Sequence, residues 1–79
     1  MSKKEKLLKI RQNPKNVRFE DIDNLLLSLG FQKRQRGSHA TYTLSGGRPL
    51  TIPLRKPFIL PVYVKQVLLL LNELEEPDS

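Results

Sequence analysis

A chain of 79 residues allows one small domain with a thin core, and the absence of cysteine excludes disulfide bonds, thiolate metal sites and a cysteine nucleophile. The longest aliphatic run, residues 67–71, is far too short for a membrane span, and no apolar signal-peptide stretch follows the basic N-terminus. We therefore expect a cytoplasmic protein without a membrane partner, whose net charge of +6 favours an anionic partner.

The first predicted element is a short helix over residues 3–12, in which Leu7, Leu8 and Arg11 fall in one sector. Asn13-Pro14 ends this helix, because the residue before a proline is disfavoured in the helical conformation. We interpret residues 1–16 as a helix and linker appended to the domain proper. That domain spans residues 17–76 and is followed by a tail at 77–79.

A second helix is predicted at the start of the domain. Apolar residues recur there at helical spacing, at Phe19, Ile22, Leu25, Leu26 and Leu29. Acidic residues crowd its first turn, where the helix dipole favours carboxylates. Gly30 follows directly and is typical of a left-handed cap at the end of a helix.

Three short strands are predicted next, over residues 31–36, 39–44 and 48–54. Gly37-Ser38 turns the chain between the first two, and residues 45–47 have the composition of a hairpin turn. Pro49 and Pro53 cannot donate hydrogen bonds to a neighbouring strand, so the third strand is expected at an edge of the sheet.

Alternation along the strands assigns their two faces. One face is apolar and is expected to form the core, with Ala40, Tyr42, Leu44, Leu50, Ile52 and Leu54. The opposite face is polar and open, with His39, Thr41, Thr43 and Thr51. A polymer could lie across that open surface.

The last predicted helix begins near Pro61 and runs from about Val62 to Glu75, which completes an α+β fold in two layers. Its inward stripe consists of Val64, Val67, Leu68 and Leu71. Further apolar residues lie outside that stripe and in the preceding loop: Phe58, Ile59, Leu69 and Leu70. We expect Phe58 and Ile59 to be exposed in the loop and to form, with Leu69 and Leu70, a patch that binds a protein partner. The alternative is that the two leucines fill a small core.

The distribution of charge favours a nucleic acid as the partner. No acidic residue occurs between Asp23 and Glu73. The intervening stretch contains seven basic residues, Lys33, Arg34, Arg36, Arg48, Arg55, Lys56 and Lys65. A surface with only positive charge most often binds a phosphate backbone. The alternative is a solvated basic face that only aids solubility.

The most basic stretch of the domain leads directly to the only histidine of the chain, His39. Imidazole can take up and return a proton near neutral pH, and RNA supplies its own nucleophile in the 2′-hydroxyl. His39 with Arg34 and Arg36 therefore meets the minimum requirement for a ribonuclease, and Gly37 and Ser38 add backbone access and donors for a phosphate. The alternative is a structural or idle histidine.

Other catalytic chemistries have less support in the sequence. Ser38 is interpreted as a turn residue, because no aspartate neighbours it and only one histidine exists to activate it. Tyr42 is interpreted as a core residue rather than a base-stacking platform, because it falls on the apolar face of its strand. One histidine, no cysteine and no carboxylate from residue 24 to residue 72 leave no spacing typical of metal ligands. We expect neither a metal nor another cofactor.

Several of these residues together resemble the HicA toxin family of toxin–antitoxin systems. The resemblance covers about residues 17–72 and rests on Gly30-Phe31, the basic strand leading to Gly37-Ser38-His39, Tyr42, and Leu50-Thr51-Ile52-Pro53. It implies a fold like the double-stranded-RNA-binding domain, with a helix, a three-stranded antiparallel sheet and a helix. It also implies an mRNA interferase of a type II system that is neutralised by a HicB-type antitoxin. The catalytic histidine of the family corresponds to His39.

The sequence therefore predicts a metal-independent mRNA endoribonuclease with His39 as general acid/base. The residues expected to hold RNA are Lys33, Arg34, Arg36, Gly37, Ser38, Arg55 and Lys56. Two alternatives remain at this point. The first is a non-catalytic RNA-binding module of the same fold, and the second is a degenerate relative that acts only through a protein partner.

Overall fold

The computed structural model describes residues 3–75, and the side chains of residues 5–73. The elements in chain order are α1 Lys3–Gln12, α2 Phe19–Ser28, β1 Gln32–Arg36, β2 His39–Thr43, β3 Leu50–Pro53 and α3 Pro61–Glu75. The tail predicted at 77–79 lies outside the described residues. None of the helices within residues 3–75 has the length and apolarity needed to cross a bilayer.

The three strands form one antiparallel sheet in the order β1-β2-β3. Core residues come from all three helices and from one face of the sheet, which gives two layers. The α+β class is confirmed, as is the helix, three-stranded sheet, helix order that the family resemblance implies, with α1 as an additional N-terminal helix. Strand β3, which contains Pro53, lies at an edge as expected.

A hydrogen-bonded cap sets the junction between α2 and β1. The amide of Gly30 donates to the Leu27 carbonyl and the amide of Phe31 donates to the Leu26 carbonyl, both at 3.1 Å. This is the Schellman motif, and it requires the positive φ of +97° that Gly30 adopts. Because Phe31 belongs to this cap, β1 begins one residue later than predicted.

Strand alternation correctly predicts which face of the sheet is buried. Ala40, Tyr42 and Ile52 have no exposed surface, whereas His39 and Thr51 are exposed on the other face. The helices therefore cover only one side of the sheet. The second side is left open to solvent.

Helix α1 contributes Leu7 and Ile10 to the core, so its buried face does not coincide with the sector of Leu7, Leu8 and Arg11. Leu7 and Ile10 are 8% and 3% exposed, while Leu8 is 55% exposed. Residues three apart share a helix face, so Leu7 pairs with Ile10 rather than with Leu8. The boundary at residue 16 stays a prediction, but the helix before it packs into the same core as the rest.

The predicted patch of four apolar residues is only partly a surface. Ile59 is 1% exposed and its amide donates to the Val17 carbonyl at 2.9 Å, so the prediction that Ile59 is exposed is wrong. This hydrogen bond pairs the amide of a buried residue, as burial requires, and holds the loop inward at this point. Phe58 and Leu70 are half-buried, and Leu69 is 64% exposed.

Candidate active site

The open face of the sheet carries two neighbouring rows of side chains. Residues directly opposed on adjacent antiparallel strands point to the same face. The His39 row consists of Arg36, His39 and Pro53. The threonine row, one step along the strands, consists of Arg34, Thr41 and Thr51.

The β1–β2 turn fixes where His39 stands. Gly37 has a φ of +55°, and no non-glycine residue among the described ones has a positive φ, a pattern typical of a two-residue type II′ turn. A Cβ atom at Gly37 would meet nothing within 4 Å, so the backbone conformation rather than space favours glycine here. The Leu54 amide donates to the Ser38 carbonyl at 2.7 Å and ties the turn to the end of β3. His39 is therefore the first residue of β2 and directly follows a turn that is hydrogen-bonded to the end of β3.

The His39 imidazole is exposed, and within residues 3–75 no side chain or backbone group hydrogen bonds to it. Both ring nitrogens are therefore available to a substrate. Arg36 is directly opposite His39, and Arg34 is diagonal to it, a separation of about 7–8 Å between Cα atoms in antiparallel sheets. Long arginine side chains span that distance, so both guanidinium groups can approach a phosphate beside His39.

Neither arginine is neutralised within the described part of the chain. Lys33 pairs with Asp23 and Arg48 pairs with Glu73, and neither pair involves the open face of the sheet. Arg55 and Lys56 are also exposed and without an ion pair among the same residues. They follow Leu54, whose amide holds the turn before His39. The fold therefore places these basic residues at the same end of the sheet as His39.

Lys33 does not lie with Arg34 and Arg36 on the open face, and its assignment to the RNA-binding residues stays a prediction. It is opposed to Tyr42, so it points to the helix side of the sheet. Its Nζ atom lies 2.8 Å from Asp23 Oδ1 and 5.3 Å from the centre of the Phe19 ring. The physical reason is strand alternation, because adjacent residues on a strand face opposite sides.

Sequence reasoning also missed the role of Asp23. Its Oδ1 atom accepts a hydrogen bond of 2.6 Å from the Tyr42 hydroxyl in addition to the Lys33 ion pair. Burial raises the pKa of Tyr42 far above its usual value, and the hydrogen bond and negative charge of Asp23 add to that effect. These three side chains join α2, β2 and β1 on the side opposite His39.

Leu69 is the most exposed of the apolar residues proposed for a partner. Leu69 is on α3 and lines two shallow grooves, one with Pro49 and Leu50 and one with Lys65 and Leu68. Helix α3 belongs to the layer that covers the other face of the sheet. The structure therefore does not combine Leu69 and the open sheet face into one continuous surface.

The residues at the open face do not form a metal centre. Among the described residues, no three histidine or acidic side chains form a group that could hold a metal ion. The groups that the fold does bring together are one imidazole, two guanidinium groups, two hydroxyls and a glycine turn. This set can exchange a proton and bind an anion.

Comparison with known families matches most of this chain to a family of toxins. The family model of the HicA toxin of bacterial toxin–antitoxin systems matches residues 19–72, a range that begins with α2 and ends inside α3. Helix α1 lies before the matched range. Searches of curated proteins and of solved structures found no match.

Proposed function

Because this chain belongs to the HicA toxin family of bacterial toxin–antitoxin systems, we propose that it is an mRNA endoribonuclease that uses His39 as general acid/base and needs no metal ion. The observation that carries the proposal is the position of His39. It is exposed on an open polar sheet face, next to two arginines that have no acidic partner among the described residues.

The reaction that fits these groups is attack by the 2′-hydroxyl of RNA on the neighbouring phosphate. His39 takes the proton of the hydroxyl as its oxygen bonds to phosphorus. The bond from phosphorus to the 5′-oxygen breaks, and that oxygen takes a proton from water, which reaches the open face. The products are a 2′,3′-cyclic phosphate and a 5′-hydroxyl end.

Arg34 and Arg36 supply the electrostatic part of this mechanism. Negative charge builds on the phosphate oxygens in the transition state, and fixed cations nearby stabilise it. The amides of Gly37 and Ser38, with Arg55 and Lys56 beyond them, extend the phosphate-binding surface at the same end of the sheet. Lys33 has no part in this surface, because its charge is paired with Asp23 on the other face.

A toxin of this family has an antitoxin as its partner, and we propose a HicB-type protein with acidic residues that covers the open sheet face. Acidic residues would complement the unpaired arginines there. Charge reversal at Arg34 and Arg36 should then weaken antitoxin binding, measured by titration calorimetry. Unchanged affinity would mean that docking occurs elsewhere, for example at Leu69.

A paired expression and cleavage assay tests the enzyme proposal. Wild-type protein should arrest growth on induction, and the purified protein should cut RNA in the presence of EDTA, whereas His39→Ala should do neither. Gln35→Ala is the matched control, since Gln35 is exposed on the same sheet but points to the opposite face. Mass spectrometry of the products should find 2′,3′-cyclic phosphate ends.

Three outcomes contradict the proposal. A 5′-phosphate product would exclude attack by the 2′-hydroxyl, and loss of cleavage in EDTA would exclude a metal-independent mechanism. If wild type and His39→Ala bind RNA equally and neither cuts it, the chain is an RNA-binding module on the same fold.

A further inference from the structure

The threonine row contains a pair of hydroxyls that the proposed cleavage mechanism does not use. Thr41 Oγ1 and Thr51 Oγ1 are 3.1 Å apart across β2 and β3, on the open face of the sheet. Thr51 is exposed and Thr41 is half-exposed. One hydroxyl donates to the other, so the pair retains one O–H donor and several acceptor lone pairs for a ligand.

The threonine row repeats the His39 row at a spacing that suits a nucleic-acid strand. Residues two apart on an antiparallel strand are separated by about 6.8 Å. The step from Arg36 to Arg34 on β1 therefore matches the step from His39 to Thr41 on β2. An extended single RNA strand advances by a similar distance from one phosphate to the next. A strand with one phosphate beside Arg36 and His39 thus brings its neighbouring phosphate to Arg34.

The open face carries no phenylalanine, tyrosine or tryptophan side chain in the part of the chain that the structure describes. Tyr42 and Phe31 are buried, and Phe19, Phe58 and Tyr63 are half-buried outside the sheet. The threonine row itself offers hydroxyls and a guanidinium group, which recognise a ligand by hydrogen bonds and charge. The ribose 2′-hydroxyl both donates and accepts hydrogen bonds, and it is the group by which proteins distinguish RNA from DNA.

We propose that Arg34, Thr41 and Thr51 form a ribonucleotide subsite for single-stranded RNA, next to the nucleotide that is cut. Arg34 lies between the scissile phosphate and the adjacent one and contacts both, and the Thr41–Thr51 pair binds the 2′-hydroxyl of the adjacent nucleotide. This proposal rests on the proposed ribonuclease function for the position of the scissile bond. A role of the pair in sheet stability alone is the competing explanation.

The test is a double-mutant cycle between protein hydroxyls and RNA hydroxyls. The protein variant is Thr41→Val with Thr51→Val, which keeps the β-branched shape of both side chains. The substrate is an oligonucleotide with one mapped cleavage site, in which the flanking nucleotides are changed one at a time to 2′-deoxy. On one flank, the deoxy change should lower kcat/KM of the wild type about fivefold, the usual effect of one hydrogen bond. The double variant should lose about as much on the all-RNA substrate and nothing more on the deoxy substrate.

Thr43→Val is the matched control, because Thr43 is exposed on the same strand and face but one step farther from His39. It should keep the wild-type sensitivity to the deoxy change. Thermal melts of all variants check that the sheet is intact. If the double variant stays as sensitive to the deoxy change as the wild type, the subsite is overturned while His39-dependent cleavage still stands.

A binding cycle separates failure of the subsite from failure of the ribonuclease proposal. In the His39→Ala background, the dissociation constants of a short single-stranded RNA and of the DNA of the same sequence are compared. The threonines should give a preference for RNA that the Thr41→Val, Thr51→Val change removes. If no RNA is cut but this preference is present and depends on the threonines, the subsite stands without the enzyme. If the preference is the same with and without the threonines, the subsite fails.

Discussion

Replacing Tyr42 with phenylalanine isolates the buried network on the helix side of the sheet. The Tyr42 hydroxyl donates to Asp23 at 2.6 Å, and the residue has no exposed surface. Hydrogen bonds to charged groups contribute about 1.5–3 kcal/mol to stability. Asp23 keeps Lys33 as a partner and its side chain is 18% exposed. We therefore expect a loss at the lower end of that range, about 1.5 kcal/mol in the free energy of unfolding. For a domain of this size, this corresponds to a decrease of about 6–12 °C in Tm.

The loss should depend on pH in a defined direction. The pKa of Tyr42 is raised in the folded state by burial and by Asp23. The unfolded chain therefore ionises first, above about pH 10, and the advantage of the wild type is complete below that pH and lost above it. Above about pH 10, the free energy of unfolding of the wild type falls by at most about 1.4 kcal/mol per pH unit relative to that of Tyr42→Phe. The two proteins should therefore have equal stability near about pH 11.

Urea unfolding followed by circular dichroism at a series of pH values from neutral to alkaline measures both effects. Tyr63→Phe is the matched control, since Tyr63 is half-buried and its hydroxyl makes no hydrogen bond to any of the described residues. That variant should differ from the wild type by less than about 0.5 kcal/mol at neutral pH. Equal stability of Tyr42→Phe and wild type at neutral pH, or a constant difference between them up to pH 11, would refute the reasoning.

Other features of the fold give three further predictions. Lys33→Gln should lower the free energy of unfolding and leave RNA affinity unchanged. Arg34→Gln should weaken RNA binding and reduce by about one the slope of log binding constant against log salt concentration. Filter binding at several salt concentrations would contradict this if both variants behaved alike. Gly30→Ala should cost about 1 kcal/mol in urea unfolding because of the φ of +97°, and an unchanged midpoint would argue against the strained cap. Ile10→Ala should cost about 2 kcal/mol or more and Leu8→Ala much less, so similar thermal shifts for the two would mean that α1 does not pack as described.

The parts of the fold that follow local periodicity could be predicted from the sequence. The 3.6-residue spacing of apolar residues predicts α2 and α3, and Gly30 predicts the end of α2. Alternation predicts the buried Tyr42 and the open His39. These patterns succeed because a helix or strand with one buried face repeats its apolar residues at its own period.

The parts that depend on long-range contacts could not be predicted in this way. Ile59 is buried because its loop bonds to the backbone at Val17, 42 residues earlier, and no period marks such a contact. The Asp23–Tyr42 hydrogen bond joins α2 to β2 for the same reason. Lys33 is different, since alternation alone places it on the other face of the sheet from Arg34. Grouping the basic residues by sequence proximity overlooked that separation.

The two faces of the sheet use charge in opposite ways, which bears on the proposed function. On the helix side, Lys33 is paired with Asp23 beside a buried tyrosine, an arrangement that stabilises the fold. On the open side, Arg34 and Arg36 remain solvated and have no acidic partner among the described residues. Substitutions at the open face should therefore change RNA or antitoxin binding with little effect on folding. Under the proposed function, an antitoxin that covers this face suppresses cleavage of RNA while leaving the toxin folded beneath it.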